Sequence, residues 1–444
     1  MTFCRGERYS MHEALALRTS EPVDSMPQRI ALLQRHLQQA SRVPYYQEMF
    51  RRESVSPSDF RDLSDVSRLP FTTRTDLDQH PQLFCQKENT DHRDIALTSG
   101  TTGEPVIVPY TAADLERLAF NETMAYYGAG IRPNDRVLLT VTLDRCFIAG
   151  MAYYSGLVNL GAVAIRSGPG QPARQWQIIK KLSPGALVGV PSFLLQLGQW
   201  GLENNIEVSH SGIKTIITIG EPIRYPDNSL SPLGQQLRDL WQANIYASYG
   251  ATEFETAFCE CSAACGGHVH PELMIVEIID DNGQLLPHGQ AGEIVVTPLG
   301  VQGFPLVRFR TGDVARLSGS PCSCGWKTER LGPIEGRLAQ RLKYKGTTLY
   351  PETIFRTLEA MHIQHFCLEI RSSMDLSDEI TVIIGSDTHL QHETISENLQ
   401  SVLRVRPEIL IRPLAEVQKM MEQDGSRKRK TVFDLRQETR SPYA

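Results

Sequence analysis

The sequence of 444 residues lacks long apolar runs and an excess of positive charge, and each absence excludes a class of protein. No apolar run approaches the roughly 20 residues that a membrane-spanning helix needs. The formal net charge is -6, so electrostatics gives no reason to expect binding to nucleic acid or to an anionic membrane. The first residues also lack the apolar segment of a signal peptide. We therefore expect a cytoplasmic protein without nucleic-acid or membrane partners.

The length and composition favour a globular protein of two or three domains. A chain of 444 residues is too long for one compact core. Its hydrophobic content of 41% and charged content of 22% are ordinary for globular proteins. The sequence has no internal repeat and no low-complexity segment, so the order of its apolar segments is the main guide to the fold.

Alternating strand-like and helix-like segments indicate the fold class. Residues 28–53 predict an amphipathic helix broken at Pro44, and Thr111 with Asp114 predicts a capping box that opens another helix. Helix-like segments such as 192–204 then separate short apolar runs. These runs are RVLLTVT at 136–142, GAVAIR at 161–166, ALVGV at 186–190 and TIITIG at 215–220. The alternation predicts a largely parallel sheet covered by helices, that is, an α/β fold.

The pattern changes after residue 270. Strands with turn signals follow, within MIVEIIDDNGQLLP, GEIVVTPL and VRFRTGDVARL. From about 337 a shorter region combines strands with helices, including a helix near 391–404. We therefore expect a large N-terminal domain over 1–336 and a small α+β C-terminal domain over 337–444.

The segment Thr98-Ser99-Gly100-Thr101-Thr102-Gly103 has the composition of a phosphate-binding turn. Glycines let the backbone approach a ligand closely, and donors in a tight turn can hold phosphate oxygens. No Gly-Lys-Ser/Thr sequence ends the segment, and a strand rather than a helix is expected after it, which excludes a Walker-type loop. Taken alone, such a segment is more often an ordinary Ser/Thr-rich hairpin.

Two later segments offer side chains suited to a nucleotide. Tyr249-Gly250-Ala251-Thr252-Glu253 provides an aromatic face for a base and a carboxylate for Mg²⁺. Arg308-Phe309-Arg310-Thr311-Gly312-Asp313, interpreted as the end of a strand, provides an acceptor for two ribose hydroxyls at Asp313. Each segment has an ordinary alternative: a solvated glutamate at a strand-to-turn junction, and an aspartate in a β-turn.

The order of these motifs resembles the adenylate-forming superfamily of acyl-CoA synthetases, adenylation domains and luciferases, and is similar to its phenylacetate-CoA ligase branch. The resemblance runs from about Val43 to Asp434, and several motifs in the family's order are far more specific than any one. It also includes Gly220-Glu221-Pro222, GEIVVTPL, PLVRFRTGD, Gly336-Arg337 and Lys343-Tyr344-Lys345-Gly346. The resemblance implies the adenylate-forming enzyme fold, with a mobile C-terminal lid domain that swings near Gly336-Arg337.

The resemblance also implies an activity, in which ATP activates a carboxylic acid as an acyl-AMP on the way to a coenzyme A thioester. Thr98 and the loop after it would hold the ATP phosphates, and Glu253 would bind Mg²⁺. Asp313 would hold the ribose, with Arg337 helping. The remaining implied nucleotide contacts are Ser99, Gly100, Thr101, Thr102, Gly103, Gly220, Glu221, Pro222, Tyr249, Gly250, Thr252 and Lys343.

The basic run at 426–434 resembles the final motif of the family. Alignment on Val432 and Asp434 puts the adenylation lysine at Lys428, with Lys430 as the fallback. A solvated basic tail is the ordinary alternative for such a run.

Three positions depart from the family pattern. Glu104 stands where many relatives have a lysine in the phosphate loop, which removes a positive charge near the triphosphate. Ala339 stands where many have the hinge aspartate, and Arg427 replaces a glycine that usually precedes the final lysine. Because none of these changes alters Glu253 or Asp313, the adenylation step is better supported than thioester formation.

Five of the nine cysteines lie within residues 259–324, which in a reducing compartment indicates a metal site rather than disulfides. Three thiolates and one imidazole make a closed structural Zn²⁺ site, and the candidate ligands are Cys261, His268, Cys322 and Cys324. The phenylacetate-CoA ligase branch has a similar Glu-Cys…His and Pro-Cys-x-Cys-Gly pair. Additional candidates are Cys259, Cys265 and His270; buried free cysteines are the alternative.

The organic acid is expected between residues 144–155, the turn at 220–222 and the strand end at 247–250. Aromatic side chains within 144–155 are compatible with an aryl or small cyclic acid. A Tyr-Tyr pair on an apolar helix, as at Tyr153 and Tyr154, is also what an ordinary core would contain.

Three functions remain open at this point: an acid–CoA ligase, a biosynthetic adenylating enzyme, and a zinc-stabilised binding protein without catalysis. The second would pass its acyl group to a carrier-protein thiol or to an amine in a natural-product pathway. Homodimers occur among relatives, but the sequence displays no interface.

Overall fold

The computed structural model describes residues 9–85, 91–98, 105–338, 342–344, 347–349, 351–372, 378–388, 390–403, 405–422 and 430–436. The chain forms two compact units. The larger comprises Met1–Thr311 and Ala315–Ile334, and the smaller comprises Gly312–Val314 and Glu335–Ala444. The sequence predicts a boundary between 336 and 337, whereas these units divide at 311/312, 314/315 and 334/335.

The larger unit contains most of the helices. In chain order the α-helices are α1 (Met11–Thr19), α2 (Met26–Ala40), α3 (Pro44–Glu53), α4 (Arg74–Gln79), α5 (Ala112–Gly128), α6 (Ile148–Leu160), α7 (Pro172–Leu182), α8 (Pro191–Glu203) and α9 (Pro232–Trp241). Short 3-10 helices lie at Pro22–Ser25, Pro57–Asp59, Leu63–Arg68, Pro81–Leu83, Val208–His210 and Thr252–Phe254. Across the described ranges, no helix is both long enough and apolar enough to traverse a bilayer.

Local sequence explains how two of these helices begin. The pattern over 28–53 becomes α2 and α3, because Pro44 opens a new helix at its first position, where no intrahelical N–H is needed. At the start of α5, the Asp114 amide donates to Thr111 Oγ1 at 3.2 Å, and Asp114 Oδ2 accepts from the Thr111 amide at 2.9 Å. The predicted break and capping box are both confirmed.

The strands of the larger unit begin with β1 (His92–Leu97) and β2 (Ile107–Thr111), which pair antiparallel on either side of the Ser/Thr/Gly segment. The others are β3 (Arg136–Leu139), β4 (Val163–Arg166), β5 (Ala186–Gly189), β6 (Thr215–Ile219), β7 (Asn244–Ala251), β8 (Thr256–Cys259), β9 (Gly267–His268), β10 (Met274–Ile279), β11 (Ala291–Pro298), β12 (Phe309–Ser318) and β13 (Arg330–Leu331). Residues 312–314 of β12 belong to the smaller unit.

The predicted parallel sheet is confirmed, with strand order β4-β3-β5-β6-β7-β8. Its strands run parallel except for β8, which is antiparallel to β7. Both faces are buried: Leu187 packs into one apolar cluster and its neighbour Val188 into another. The register pairs Ile219 with Ser248, so the segments that follow β6 and end β7 share one edge of the sheet. Ligands of open α/β sheets bind at this edge.

A second sheet has the order β10-β11-β12-β13-β9, and β14 (Gly336–Arg337) pairs with β12. It corrects one prediction, because Asp313 does not end a strand or occupy a turn. Asp313 lies within β12, where it is directly opposite Arg337 in an antiparallel register. The Thr-Gly-Asp sequence resembles a turn, and Gly312 has φ +74, but pairing of Asp313 with Arg337 continues the strand through these residues.

The smaller unit is an α+β structure, as the sequence predicted. Beyond β14 its elements are β15 (Leu342–Tyr344), β16 (Thr347–Leu349), α10 (Pro351–Ala360), β17 (Phe366–Ser372), β18 (Asp378–Gly385), α11 (His392–Leu403), β19 (Glu408–Arg412), α12 (Leu414–Met421) and β20 (Val432–Asp434). One sheet has the order β19-β18-β17-β20. Leu358, Leu368 and Leu399 are fully buried in a core of its own.

Candidate active site and cysteine cluster

Glu253 and Thr98, from two separate motifs, both contact the side chain of Arg74. Glu253 lies in the 3-10 helix that follows β7, and its Oε1 is 2.8 Å from Arg74 Nη1. Arg74 Nη2 donates to Thr98 Oγ1 at 3.4 Å. The Glu253 side chain is 14% exposed, so its carboxylate is sheltered and still reachable by a ligand. The structure therefore brings two predicted site residues to one cation, which the sequence analysis did not identify.

Hydrogen bonds from two side chains fix the backbone around Glu253. Tyr110 donates its hydroxyl hydrogen to the carbonyl of Thr252 at 3.3 Å. The fully buried Arg117 donates to the carbonyl of Glu255 at 2.8 Å and to Thr256 Oγ1 at 2.9 Å. These bonds fix the main chain on either side of Glu253, so its carboxylate occupies a defined position.

Tyr249 and Ser248 lie at the end of β7. The Tyr249 ring lies 6.2 Å from the Phe258 ring, centroid to centroid, in a stacked arrangement. Ser248 Oγ accepts a hydrogen bond from the Tyr153 hydroxyl at 3.3 Å. Tyr153 itself is buried, whereas Tyr154 is partly exposed beside Arg166. The two tyrosines therefore differ: Tyr153 is part of the core and reaches the motif, and Tyr154 packs against the same core but stays partly exposed.

A buried carboxyl group lies near this tyrosine. Glu122, on α5, is 3% exposed, and among the described residues its Oε2 has no hydrogen-bond partner. Burial raises the pKa of Glu122 to about 8. The carboxyl in turn contributes, after burial itself, to raised pKa values for Tyr126 and Tyr153. At neutral pH this group is therefore mainly protonated.

The turn at 220–222 contacts the start of α8. Gly220 has φ +79, which a glycine adopts without strain at the end of β6. Glu221 accepts hydrogen bonds from the amide and the hydroxyl of Ser192, at 2.9 and 2.8 Å. Its carboxylate therefore binds the first turn of α8, and Pro222 follows at the surface.

The smaller unit contains a separate pair of predicted residues. Arg337 Nε lies 3.1 Å from Asp313 Oδ1, and the Asp313 side chain is 12% exposed. Lys430 Nζ lies 4.9 Å from the centroid of the Phe433 ring. The backbone of Lys343 is in β15. Residues Ser99, Gly100, Thr101, Thr102, Gly103 and Lys428 lie outside the described part of the chain.

The predicted metal ligands converge in the larger unit. The ligand atoms of four residues all lie within 4.8 Å of one another; these are Cys261, His268, Cys322 and Cys324. The sulfurs of Cys261 and Cys322 are 3.6 Å apart, and Cys324 Sγ is 3.3 Å from His268 Nε2. In a tetrahedral site with Zn–S bonds of about 2.3 Å, neighbouring sulfurs are about 3.8 Å apart. The donor set and its spacing fit a structural zinc ion.

Hydrogen bonds from neighbouring residues position three of these ligand residues. The Ala263 amide donates to Cys261 Sγ and the Trp326 amide to Cys324 Sγ, both at 3.4 Å. His268 is hydrogen-bonded through Nδ1 to Thr328 Oγ1 at 2.8 Å, which leaves Nε2 facing the cysteines. Burial lowers the pKa of His268 to about 4, so its imidazole is neutral, the form that binds metals.

The three additional candidates have other contacts. Cys259 donates to the carbonyl of Glu260 at 3.5 Å, and His270 Nδ1 lies 2.5 Å from Arg18 Nη2. Cys265 is close to the cluster, with its sulfur 3.8 Å from that of Cys322. Its sulfur also lies 2.5 Å from Arg330 Nη1, so an arginine already binds it.

Comparison with known proteins identifies relatives that cover most of the chain. The family model for AMP-binding enzymes matches residues 26–301. A phenylacetate–coenzyme A ligase from Thermus thermophilus is 28% identical over 344 residues, which cover 76% of each chain. Its counterpart from Escherichia coli is 26% identical over 419 residues, covering 89% of this chain and 91% of that one. The crystal structure of a 2-hydroxyisobutyryl-CoA ligase matches with a TM-score of 0.81 at 22% identity, over 98% of this chain and 94% of that one, which shows a shared fold.

Proposed function

Since the chain belongs to the AMP-binding enzyme family, as an AMP-forming acid–thiol ligase similar to phenylacetate–coenzyme A ligases, we propose that it activates an aryl or small cyclic carboxylic acid. The acid and ATP would give an acyl-AMP and pyrophosphate, and coenzyme A would then give the thioester and AMP. The observation that carries this proposal is the approach of Thr98 and Glu253, from separate motifs, to a single arginine in a sheltered position.

The chemistry of the first step requires mainly positioning and positive potential. A carboxylate oxygen forms a bond to the α-phosphorus while the bond to the pyrophosphate oxygen breaks. The reacting groups are both anionic, so cations placed where charge develops lower the barrier. Glu253 would hold Mg²⁺, which supplies charge neutralisation at the phosphates. In this scheme no protein nucleophile is needed.

The protein's own residues would divide the remaining tasks. Thr98 and residues 99–103 would bind the phosphates, and Tyr249 would line the adenine pocket with Gly220 and Glu221. Asp313 and Arg337 would bind the ribose, and Lys428 would stabilise charge on the α-phosphate. The Glu221 carboxylate is hydrogen-bonded to the first turn of α8. Glu221 would therefore line the pocket with its backbone, and this contact would fix the position of that backbone.

The acid-binding region would include the end of β7. Ser248 and the buried Tyr153 form a polar contact there, next to the protonated carboxyl of Glu122. The thiol of coenzyme A would attack the carbonyl carbon of the acyl-AMP, and the departing AMP would keep the bridging oxygen.

We also infer a structural zinc ion held by Cys261, His268, Cys322 and Cys324. With four protein ligands such a site has no open position for a substrate, so its contribution is to stability. It would join the segment after β8 to the segment after β12.

The test is ATP–pyrophosphate exchange over a panel of aryl, cyclic and short alkyl acids, followed by a thioester assay with coenzyme A. The proposal expects exchange with an aryl or cyclic acid and thioester formation on addition of coenzyme A. Exchange without a thioester, and with acylation of a carrier protein or an amine, would favour the biosynthetic alternative. Absence of exchange with every acid would contradict the proposal.

A further inference from the structure

The phosphate-binding segment of this chain contains no cation in its own sequence. Residues 98–105 read Thr-Ser-Gly-Thr-Thr-Gly-Glu-Pro, and the charged residue among them is acidic. An ATP triphosphate carries several negative charges, and Glu253 adds another nearby. A cation from elsewhere in the fold would therefore favour binding of the triphosphate, in addition to Mg²⁺.

Arg74 places a guanidinium group at this position. Its Nη1 is 2.8 Å from Glu253 Oε1, its Nη2 is 3.4 Å from Thr98 Oγ1, and its Nε donates to Asp78 Oδ1 at 2.8 Å. The Arg74 side chain is 31% exposed, so a bound anion can reach it. A guanidinium group suits this task because its planar fork of N–H donors matches the geometry of phosphate oxygens.

The main chain that carries Arg74 is firmly anchored. The Thr72 amide donates to the Arg308 carbonyl at 3.0 Å, and the Arg310 amide donates to the Thr72 carbonyl at 2.8 Å. Thr73 caps α4 in a capping box with Asp76, and Arg74 is the first residue of that helix. These contacts leave the side chain as the part of Arg74 that can change partners.

We propose that Arg74 binds the β- and γ-phosphates of ATP, exchanging its bond to Glu253 for bonds to phosphate oxygens when the magnesium nucleotide enters. This inference rests on the proposed function, in which Glu253 is a magnesium ligand. Before binding, the Arg74–Glu253 pair prevents a lone carboxylate from repelling the triphosphate. On binding, the divalent cation satisfies Glu253, and the arginine becomes available to the nucleotide. Asp78 holds Nε throughout, so the two terminal nitrogens stay directed at the site.

The test measures nucleotide binding directly, by calorimetry in EDTA and in Mg²⁺, for the wild type, Arg74→Gln and Arg74→Lys. Loss of a charge-assisted hydrogen bond corresponds to ~10-fold or more in affinity. Arg74→Gln should therefore weaken the binding of ATP in Mg²⁺ by at least this factor and change the binding of AMP by less than about twofold, since AMP lacks the phosphates that Arg74 binds. Arg74→Lys, which keeps the charge but not the fork, should fall between the wild type and Arg74→Gln.

Two further variants separate phosphate binding from the positioning of Glu253. Glu253→Gln should not weaken the binding of magnesium-free ATP, because this substitution removes a negative charge and leaves the arginine in place. Arg51→Gln removes an exposed arginine whose Nη2 lies 2.6 Å from Glu48 Oε1. This variant should bind both ATP and AMP as tightly as the wild type does.

Equal effects of Arg74→Gln on ATP and AMP, or unchanged ATP binding in a variant with a normal melting temperature, would overturn the inference. If Arg74→Gln does not fold, the same comparison of ATP with AMP in Arg74→Lys decides. Failure of the proposed function is read out separately, as absence of pyrophosphate exchange by the wild type.

Discussion

The sulfurs of Cys261 and Cys322 lie 3.6 Å apart, although the two cysteines are 61 positions apart in the chain. Cys261 follows the edge strand β8 of the parallel sheet, and Cys322 follows β12 of the second sheet. A metal ion between them would therefore cross-link two segments whose positions depend on different sheets.

Zinc content and stability test this cross-link. The wild-type protein should contain about one equivalent of zinc. Cys322→Ser should lose most of it and melt several degrees lower, because removal of a structural metal destabilises the fold. Cys146→Ser, at an exposed cysteine away from the cluster, should keep both the zinc content and the melting temperature of the wild type. Less than about half an equivalent of zinc in the wild type would contradict the site.

Glu253→Gln should lower the rate of pyrophosphate exchange by ~100-fold or more, the usual cost of losing a group that acts on developing charge. It should also raise the Mg²⁺ concentration needed for half-maximal rate. Asp78→Asn is the matched control, since Asp78 also accepts a hydrogen bond from Arg74 but is not a proposed metal ligand. If both variants need the same Mg²⁺ concentration for half-maximal rate, Glu253 acts only by holding the arginine.

Lys428→Ala should abolish most pyrophosphate exchange, whereas Lys430→Ala should retain it. Both lysines belong to one basic run, so the comparison removes the same charge from neighbouring positions. Lys428 lies outside the described residues, and its assignment depends on alignment with the family's final motif. Full exchange by Lys428→Ala with loss in Lys430→Ala would move the role to the second lysine.

Glu122→Gln should become more stable than the wild type as the pH rises from 5 to 8. The unfolded carboxyl has a pKa near 4.5, and burial raises the folded pKa to about 8. Between these values the folded state binds more protons, so the wild type's free energy of unfolding falls with rising pH, by up to about 1.4 kcal/mol per pH unit. Glutamine has no proton to lose, and Glu122→Gln escapes this decline.

Urea denaturation at several pH values measures the difference between Glu122→Gln and the wild type. Glu116→Gln, at an exposed position on the same helix, is the control and should follow the wild type at every pH. A difference between Glu122→Gln and the wild type that stays constant with pH would show that Glu122 is already ionised in the folded protein.

Local patterns allowed much of the fold to be predicted. The strands at Arg136, Ala186 and Thr215 are marked by short apolar runs, and Thr111 with Asp114 forms a cap whose two residues are three apart. The sequence predicts Asp313 at a strand end, and this prediction is wrong, because the pairing of Asp313 with Arg337 involves residues that no local pattern connects. Strand continuity at such a site depends on long-range hydrogen bonds rather than on propensity.

The site was only partly predictable for the same reason. Glu253 belongs to a motif, but Arg74 is 179 residues away and occurs in an ordinary capping sequence. Glu104, which stands where many relatives have a lysine, is the one sequence signal that favours a cation from elsewhere in the chain. Cys265 could not be separated from the metal ligands by spacing, because its bond to Arg330 exists only in the folded chain.

The central claim, that the acid is activated as an acyl-AMP, is tested most directly by an oxygen label. An acid that supports pyrophosphate exchange is prepared with ¹⁸O in its carboxylate and converted in the presence of ATP and coenzyme A. When both carboxylate oxygens are ¹⁸O, mass spectrometry of the products should find one ¹⁸O in each AMP formed, because the bridging oxygen leaves with the nucleotide. AMP without the label, or label recovered in inorganic phosphate, would contradict the account.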